Sequence, residues 1–385
     1  MKKYLNSITK IAVLACAALF CSCSGVIFDT IRTEVKLTDA QVSGDVFCIT
    51  RHSGKDGSEY LYTSLGTIKR KDVTQDSSVT GLYGGQWKVV NKPSGLITGI
   101  ISASDSYLYL TSLKIETVED DGENEPKSYS IYYSDDDGET WNSVKLSDDD
   151  TEIATLTYSG SIVKVFGTNS PKAANRAAFL NYAGLIYRLQ AGKATLITAD
   201  STYVNLGTSS QSVALLDGVY YFSDNYSMTS NETSDTDASC IYTGSSDSIK
   251  YLYTGTYDAD ADGYGWVSVD PDLGTIYSLS YAQDKILVGT SEGIKNVILN
   301  DTTDASLRKY EPSDSTGTFS SNAASALSSY YQVWQTLVLD PSENLENSDL
   351  YASMDFEDSS SNTSATFQNV GMWAFYPGRA SWNRE

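Results

Sequence analysis

The 385-residue sequence contains one histidine (His52), seven prolines, and only 27 lysines and arginines against 49 aspartates and glutamates. Each shortage excludes something. A single imidazole rules out multi-histidine zinc sites and leaves one candidate base for a catalytic triad. The shortage of cations gives a formal charge of −22, which repels phosphate backbones and anionic lipid heads, so nucleic-acid binding is excluded. No apolar run approaches the roughly 18 residues of a membrane-crossing helix. Helix signals are few: Ser170-Pro171 ahead of Lys172–Leu180, and Asn322–Ser328. Tyr and Gly are plentiful, 28 of each, with Ser, Thr and Asp between them. That mixture favours strands and turns.

The N-terminal segment reads as an address. Met1–Lys10 carries the basic residues, and Ile11–Phe20 is an apolar stretch of ten residues, which fits the core of a secretory signal. Leu19-Phe20-Cys21-Ser22, ahead of Cys23, resembles a bacterial lipobox. The resemblance implies that residues 1–22 are removed and that Cys23 receives diacylglycerol and becomes the new N-terminus. Residues 23–43 then form a tether and residues 44–385 the folded domain, with the lipid as sole membrane attachment. Val13-Leu14-Ala15-Cys16 is a second lipobox-like run with a shorter apolar core before it. Without residues 1–22 the charge is 24 − 49 = −25. Ser24 after the cysteine resembles lipoproteins sorted to the outer membrane, with the periplasmic or cell-surface face left open. Cys48 and Cys240 lie in apolar strand-like runs and read as buried free thiols.

A weak repeat fills the remaining chain. An alternating strand, a short polar turn and a second strand rich in Tyr, Leu and Val start near residues 46, 97, 153, 213, 276 and 333, at gaps of 51, 56, 60, 63 and 57. Period-two alternation is the pattern of half-buried antiparallel strands. Units of this length that repeat predict an all-β fold, a six-bladed β-propeller of four-stranded antiparallel blades. Thr33–Leu37 is a candidate closing strand, seven blades the alternative count, and two β-sandwich domains the runner-up architecture.

One motif is specific. Ser134-x-Asp136-x-Gly138-x-Thr140-Trp141 places a carboxylate to accept turn amides, a glycine for positive φ and an indole to anchor a tight hairpin. Its pattern matches the Asp-box of sialidase-like propellers at every defined position. Trp87 and Trp266 retain only a Gly-x-x-Trp half, with Leu82 and Ala261 in place of the aspartate. The resemblance implies a structural role at the blade periphery. It also raises a glycoside hydrolase reading, in which sialidases use three arginines, a Tyr nucleophile with a Glu base, an acidic proton donor and an early Phe/Tyr-Arg-Ile/Leu-Pro motif. That motif is absent, and the chain has eight arginines, the early ones (Arg32, Arg51, Arg70) in other contexts. Gly289-Thr290-Ser291-Glu292-Gly293 matches a nucleophile elbow, but strand-like residues on both sides make it a hairpin turn.

Two further features carry candidate sites. Asp258, Asp260 and Asp262 before Gly263 have the alternation of a calcium loop but lack the twelfth-position Glu, where Val269 stands. A calcium site and a solvated acidic turn are both open readings, and no other cofactor is required. The C-terminal run from Met372 is aromatic and basic, and Tyr376, Arg379 and Trp382 are candidate binding residues for a sugar or partner surface. The sequence therefore predicts a non-catalytic, lipid-anchored outer-membrane propeller that binds a glycan or an envelope protein. The alternative is a glycoside hydrolase with its site assembled across blades.

Overall fold

The computed structural model describes residues 41–64, 66–73, 87–117, 124–147, 151–153, 156–157, 163, 165–182, 185–196, 213–216, 219–224, 240–244, 249–250, 276–282, 285–291, 293–299, 310–313, 332–340, 349–355, 370–376 and 381–385. Val42–Glu385 is one compact unit, and its described residues are strands and connections with a single 3-10 turn, Ala173–Asn175. The signal segment, Cys23, Thr33–Leu37, Asn322–Ser328, Arg379 and the Asp258, Asp260 and Asp262 loop lie outside the described residues.

Among the described residues six sheets, antiparallel but for one pairing, follow one another along the chain. The first holds β1 (Cys48–Ser53), β2 (Glu59–Ser64), β3 (Ile68–Asp72) and β4 (Lys88–Val90). The second has β5 (Leu96–Ser102), β6 (Leu108–Thr117), β7 (Asn124–Ser134) and β10 (Leu156–Thr157), with β8 (Asn142–Ser143) also on β7. The third runs β11 (Val165–Gly167), β12 (Ala178–Tyr182), β13 (Leu185–Gln190) and β14 (Lys193–Leu196), where β9 (Lys145–Leu146) adds a parallel pairing. The fourth comprises β15 (Val213–Leu216), β16 (Val219–Asp224), β17 (Cys240–Gly244) and β18 (Ile249–Lys250). In the fifth are β19 (Ile276–Ala282), β20 (Lys285–Thr290), β21 (Gly293–Leu299) and β22 (Tyr310–Ser313). The sixth contains β23 (Gln332–Asp340), β24 (Asp349–Asp355), β25 (Gly371–Tyr376) and β26 (Ser381–Arg384).

In the first and third sheets burial falls from the first strand to the last. All but the first residue of Leu96–Ser102 are buried, while Lys88–Val90 and most of Lys193–Leu196 are exposed or half-buried. In Leu96–Ser102 the burial extends to both faces, beyond the half-buried strand that period-two alternation predicts. The first strands are neighbours in succession: β1 beside β5, β5 beside β11, then β15, β19 and β23, with β23 also beside β1. Hydroxyls join several of them. Thr50 donates to the Ile100 carbonyl (2.5 Å), and Ser280 Oγ lies 2.8 Å from Thr336 Oγ1.

Between sheets the faces pack through apolar cores. Cys48, Tyr62 and Ile68 meet Ile97, Ile100, Leu108 and Leu110 between the first and second sheets. Val46, Ile49, Leu61 and Val73 meet Leu337, Leu339, Tyr351 and Met372 between the first and sixth. Cys48 is buried and outside any disulfide. The Val42 amide donates to the Glu385 carbonyl and its carbonyl accepts from Met372, so the two ends of the unit share one ladder.

Two expectations need correction. The third repeat unit is one strand out of phase, since Leu156–Thr157 is the last strand of the second sheet and Val165–Gly167 the first of the third. Alternation marks both halves as strands without saying which sheet each joins. The helix expected over Lys172–Leu180 is only the 3-10 turn, because Ala178–Tyr182 is drawn into the ladder between Val165–Gly167 and Leu185–Gln190.

Candidate functional site

The connections that follow first strands and third strands gather at one end of sheets one to three. Gly54 approaches Asp137, Lys55 pairs with Asp135 at 3.6 Å, and the Ala191 amide donates to Asp105 at 2.8 Å. Among the described residues, the non-glycine positions with left-handed backbone are Ser106, Asp137, Asn169 and Ala191. All four lie in these connections. Such conformations cost about 1–3 kcal/mol each and persist where the surroundings over-determine them.

The Ser134–Trp141 turn is closed by its own side chains. Asp136 Oδ1 accepts the Thr140 amide at 2.8 Å, Asp136 Oδ2 accepts the Thr140 hydroxyl at 2.6 Å, and the Gly138 amide donates to Ser134 Oγ at 2.9 Å. Burial opposes ionisation of Asp136, but the hydrogen bonds from Thr140 and Ser134 outweigh it and hold the carboxyl below its ordinary range. Gly138 sits at φ +85°, where a side chain would be strained. Trp141 Nε1 donates to the Asn91 carbonyl at 3.2 Å. Trp87 serves a different end, its indole donating to Glu385 Oε2 at 3.0 Å.

His52 is placed by this turn. Its Nε2 lies 2.9 Å from Asp137 Oδ1 and its Nδ1 2.9 Å from Ser102 Oγ. That is the connectivity of a serine–histidine–aspartate relay, but His52 is 0% and Ser102 1% exposed, so the hydroxyl meets no solvent and no substrate. The relay ties the first sheet to the end of Leu96–Ser102 and to the Ser134–Trp141 turn of the second. Beside it the Tyr62 hydroxyl donates to the Asp137 carbonyl at 2.6 Å, and burial pushes that phenol well above its ordinary range. Arg70 lies over the Tyr60 ring, 4.8 Å from its centroid, and donates to the same carbonyl at 3.2 Å.

A second cluster joins the end of Cys48–Ser53 to the third and sixth sheets. Arg51 Nε donates to Glu59 Oε2 at 2.9 Å, and an Arg51 Nη donates to the Leu339 carbonyl. Arg176 donates to the same Glu59 oxygen at 3.3 Å and to Ser53 Oγ at 2.7 Å. Asn169 Nδ2 donates to the Ile49 carbonyl at 2.9 Å. Burial pushes Arg176 down to about 10, against the pull of Glu59. Burial also opposes ionisation of Glu59, yet its bonds from Ser53 and Arg51 and the charge of Arg176 hold it low. Arg51 and Arg176 thus converge, but on a carboxylate of the chain itself. Arg188 lies over Phe179, 5.1 Å from the ring centroid.

A cavity among first strands is lined by Phe47–Thr50, Ile100, Ile101, Val165–Gly167, Asn169, Ser278, Leu279, Gln335 and Thr336. Its room for the centres of water molecules is ≈ 30 Å³, which holds a few waters and no sugar ring. Apart from the Cys48 thiol, its described lining has no titratable side chain. The exposed chemistry lies on the loop end instead. Tyr107 and Tyr133 are half-buried with ring centroids 5.7 Å apart, and Lys55 Nζ stands 5.7 Å from the Tyr107 centroid. Sequence reasoning missed this patch, since its members are local only in pairs.

The candidate residues near the C-terminus are placed by backbone alone. Tyr376 pairs with Ser381, and Trp382 with Phe375, on the last two strands. Gly289–Gly293 is a tight hairpin in which Thr290 pairs with Gly293, and no helix follows as an elbow requires.

No protein-family model matches the chain, and no curated protein is similar to it. Among solved structures, an aldose sugar dehydrogenase from Streptomyces coelicolor in its PQQ-bound form is 12% identical, covering 88% of this chain and 96% of that one at a TM-score of 0.43. An α-L-arabinanase from Penicillium chrysogenum, complexed with arabinobiose, is 10% identical over 88% of this chain and 97% of its own, also at 0.43. An α-L-arabinofuranosidase from Lactobacillus brevis is 11% identical over 72% and 92%, at 0.30. Likeness at these scores assigns no activity to this chain.

Proposed function

We propose that the chain is a non-catalytic binding protein of the cell envelope: a six-bladed β-propeller of the Asp-box type, anchored to the outer membrane through lipid on Cys23, whose loop face binds a glycan. The six-bladed reading is supported by six successive sheets with their first strands neighbouring around to β1. The Asp-box reading is supported by the Asp136 and Ser134 hydrogen bonds that close the turn.

The observation that carries the binding role is a contrast between the cavity and the loop face. The cavity lining offers apolar, hydroxyl and amide groups around a space too small for a sugar, whereas Tyr107 and Tyr133 stand half-buried on the loop face beside charged side chains. A hydrolase reading needs two carboxylates flanking a bond in an open cleft, and Glu59 is committed to Arg51 and Arg176. An envelope protein is the other class of partner. The test is a panel of host and plant glycans given to the full chain, with sugar release read beside affinity, with and without calcium. Binding without release is expected; release overturns the reading, and calcium-dependent binding would bring Asp258, Asp260 and Asp262 into the site.

A further inference from the structure

We infer that Tyr107, Tyr133, Lys55, Asp105 and Asp135 form a subsite for one neutral hexopyranose unit of an oligosaccharide. This rests on the glycan-binding reading above and names its place and ligand class. The tyrosine rings are tilted by 31° with centroids 5.7 Å apart, and Tyr107 stacks at 6.4 Å on buried Tyr109. Half-buried phenols present an apolar ring and a polar tip, the chemistry that suits a ligand with a flat C–H face and a hydroxyl rim.

The platform is held before any ligand arrives. Asp105 accepts the Tyr107 amide at 3.2 Å and the Ala191 amide at 2.8 Å, fixing the second sheet's loop to the third sheet's turn. The Tyr109 hydroxyl accepts the Gly192 amide at 3.0 Å. Gly192 lies so close beneath Tyr133 that a Cβ there would stand 2.8 Å from its ring. A pre-ordered platform loses little entropy on binding.

The rim is polar and adjustable. Lys55 and Asp135 are about half exposed, 57% and 44%, and their ion pair is long at 3.6 Å, so each keeps free hydrogen-bonding capacity. A sugar ring on Tyr107 displaces the Lys55 ammonium from above the phenol, leaving it to donate to ring hydroxyls while Asp135 accepts from them. Charge selects the class. Asp135 balances Lys55, Asp105 adds negative charge beside Tyr107, and the converging guanidiniums of Arg51 and Arg176 are spent on Glu59. Among the described residues the cation over the tyrosine rings is Lys55, already balanced by Asp135, so the rim favours a neutral sugar over a uronate or sialate.

The experiment titrates the full chain with cellohexaose, mannohexaose and hexagalacturonate by calorimetry, beside Tyr107→Ala, Lys55→Ala and Asp135→Asn, with melting followed for each variant. The expected result is binding of a neutral hexaose that Tyr107→Ala weakens about tenfold or more at unchanged melting, and preference for neutral over acidic sugar. If Tyr107→Ala does not fold, the two surface variants carry the test, each weakening binding by several-fold. Neutral-sugar binding untouched by every folded variant overturns the subsite and leaves the glycan reading standing. Preference for hexagalacturonate overturns the neutral class, and failure to bind any of the three overturns the subsite together with the glycan reading.

Discussion

Lys71 and Glu385 form an ion pair, Nζ to Oε2 at 2.6 Å, with side chains only 3% and 6% exposed. It joins the third strand of the first sheet to the residue that follows the last strand of the sixth, and the Trp87 indole donates to the same oxygen. Removing one member of such a pair strands the other in a dry interface. Lys71→Met is expected to cost about 3–5 kcal/mol in denaturant unfolding, and Lys71→Met with Glu385→Leu to recover most of it.

The Ser134–Trp141 turn makes a local prediction. Asp136→Ala removes the acceptor of the Thr140 amide and hydroxyl. Hydrogen bonds to a charged group are worth about 1.5–3 kcal/mol, so a loss of that order is expected from unfolding curves. Thr140→Val, which removes only the hydroxyl, is expected to lose less.

Glu59 gives the pH dependence. Its carboxyl is held below the ordinary value of 4.5 in the folded protein despite opposing burial. A depressed carboxylate contributes stability that is complete above its unfolded pKa and is lost as the pH falls through the folded one. Stability measured from pH 7 downward is therefore expected to be flat to about pH 5 and then to fall, with a shallower fall in Glu59→Gln.

His52 tests whether the relay is structural. His52→Ala leaves Ser102 Oγ and Asp137 Oδ1 without their imidazole partner; a loss of about 1–3 kcal/mol is expected from the buried Ser102 hydroxyl, and less from Asp137, whose side chain is 25% exposed. Binding of the oligosaccharide at Tyr107 is expected to be unchanged in the protein that remains folded, read by calorimetry below the melting transition. Loss of affinity with full stability would give the relay a direct part in binding.

Much of this fold was legible because its signals are local. Five of the six repeat units coincide with the first two strands of successive sheets, and the Ser134–Trp141 turn contains both halves of its own hydrogen bonds. The third unit slipped because alternation looks the same on either side of a sheet boundary. Ser170-Pro171 looks like a helix start, but the pull of Phe179 and Leu180 into paired strands prevails. The clusters that build the loop face were not legible. His52 meets Ser102 and Asp137 from 50 and 85 residues away, and Arg176 reaches Glu59 across 117. Such distances carry no pattern in one sequence.

The most direct test of the account is where a bound sugar leaves its mark. Amide hydrogen exchange of the full chain, with and without a saturating neutral hexaose, distinguishes the loop face from the cavity. The account predicts added protection in the Ala103–Tyr107 and Gln190–Lys193 connections and around Asp135, with no change along Cys48–Thr50, Ile100–Ile101 or Val165–Gly167. Protection gained along those first strands instead would put the ligand in the cavity and contradict the assignment of binding to the loop face.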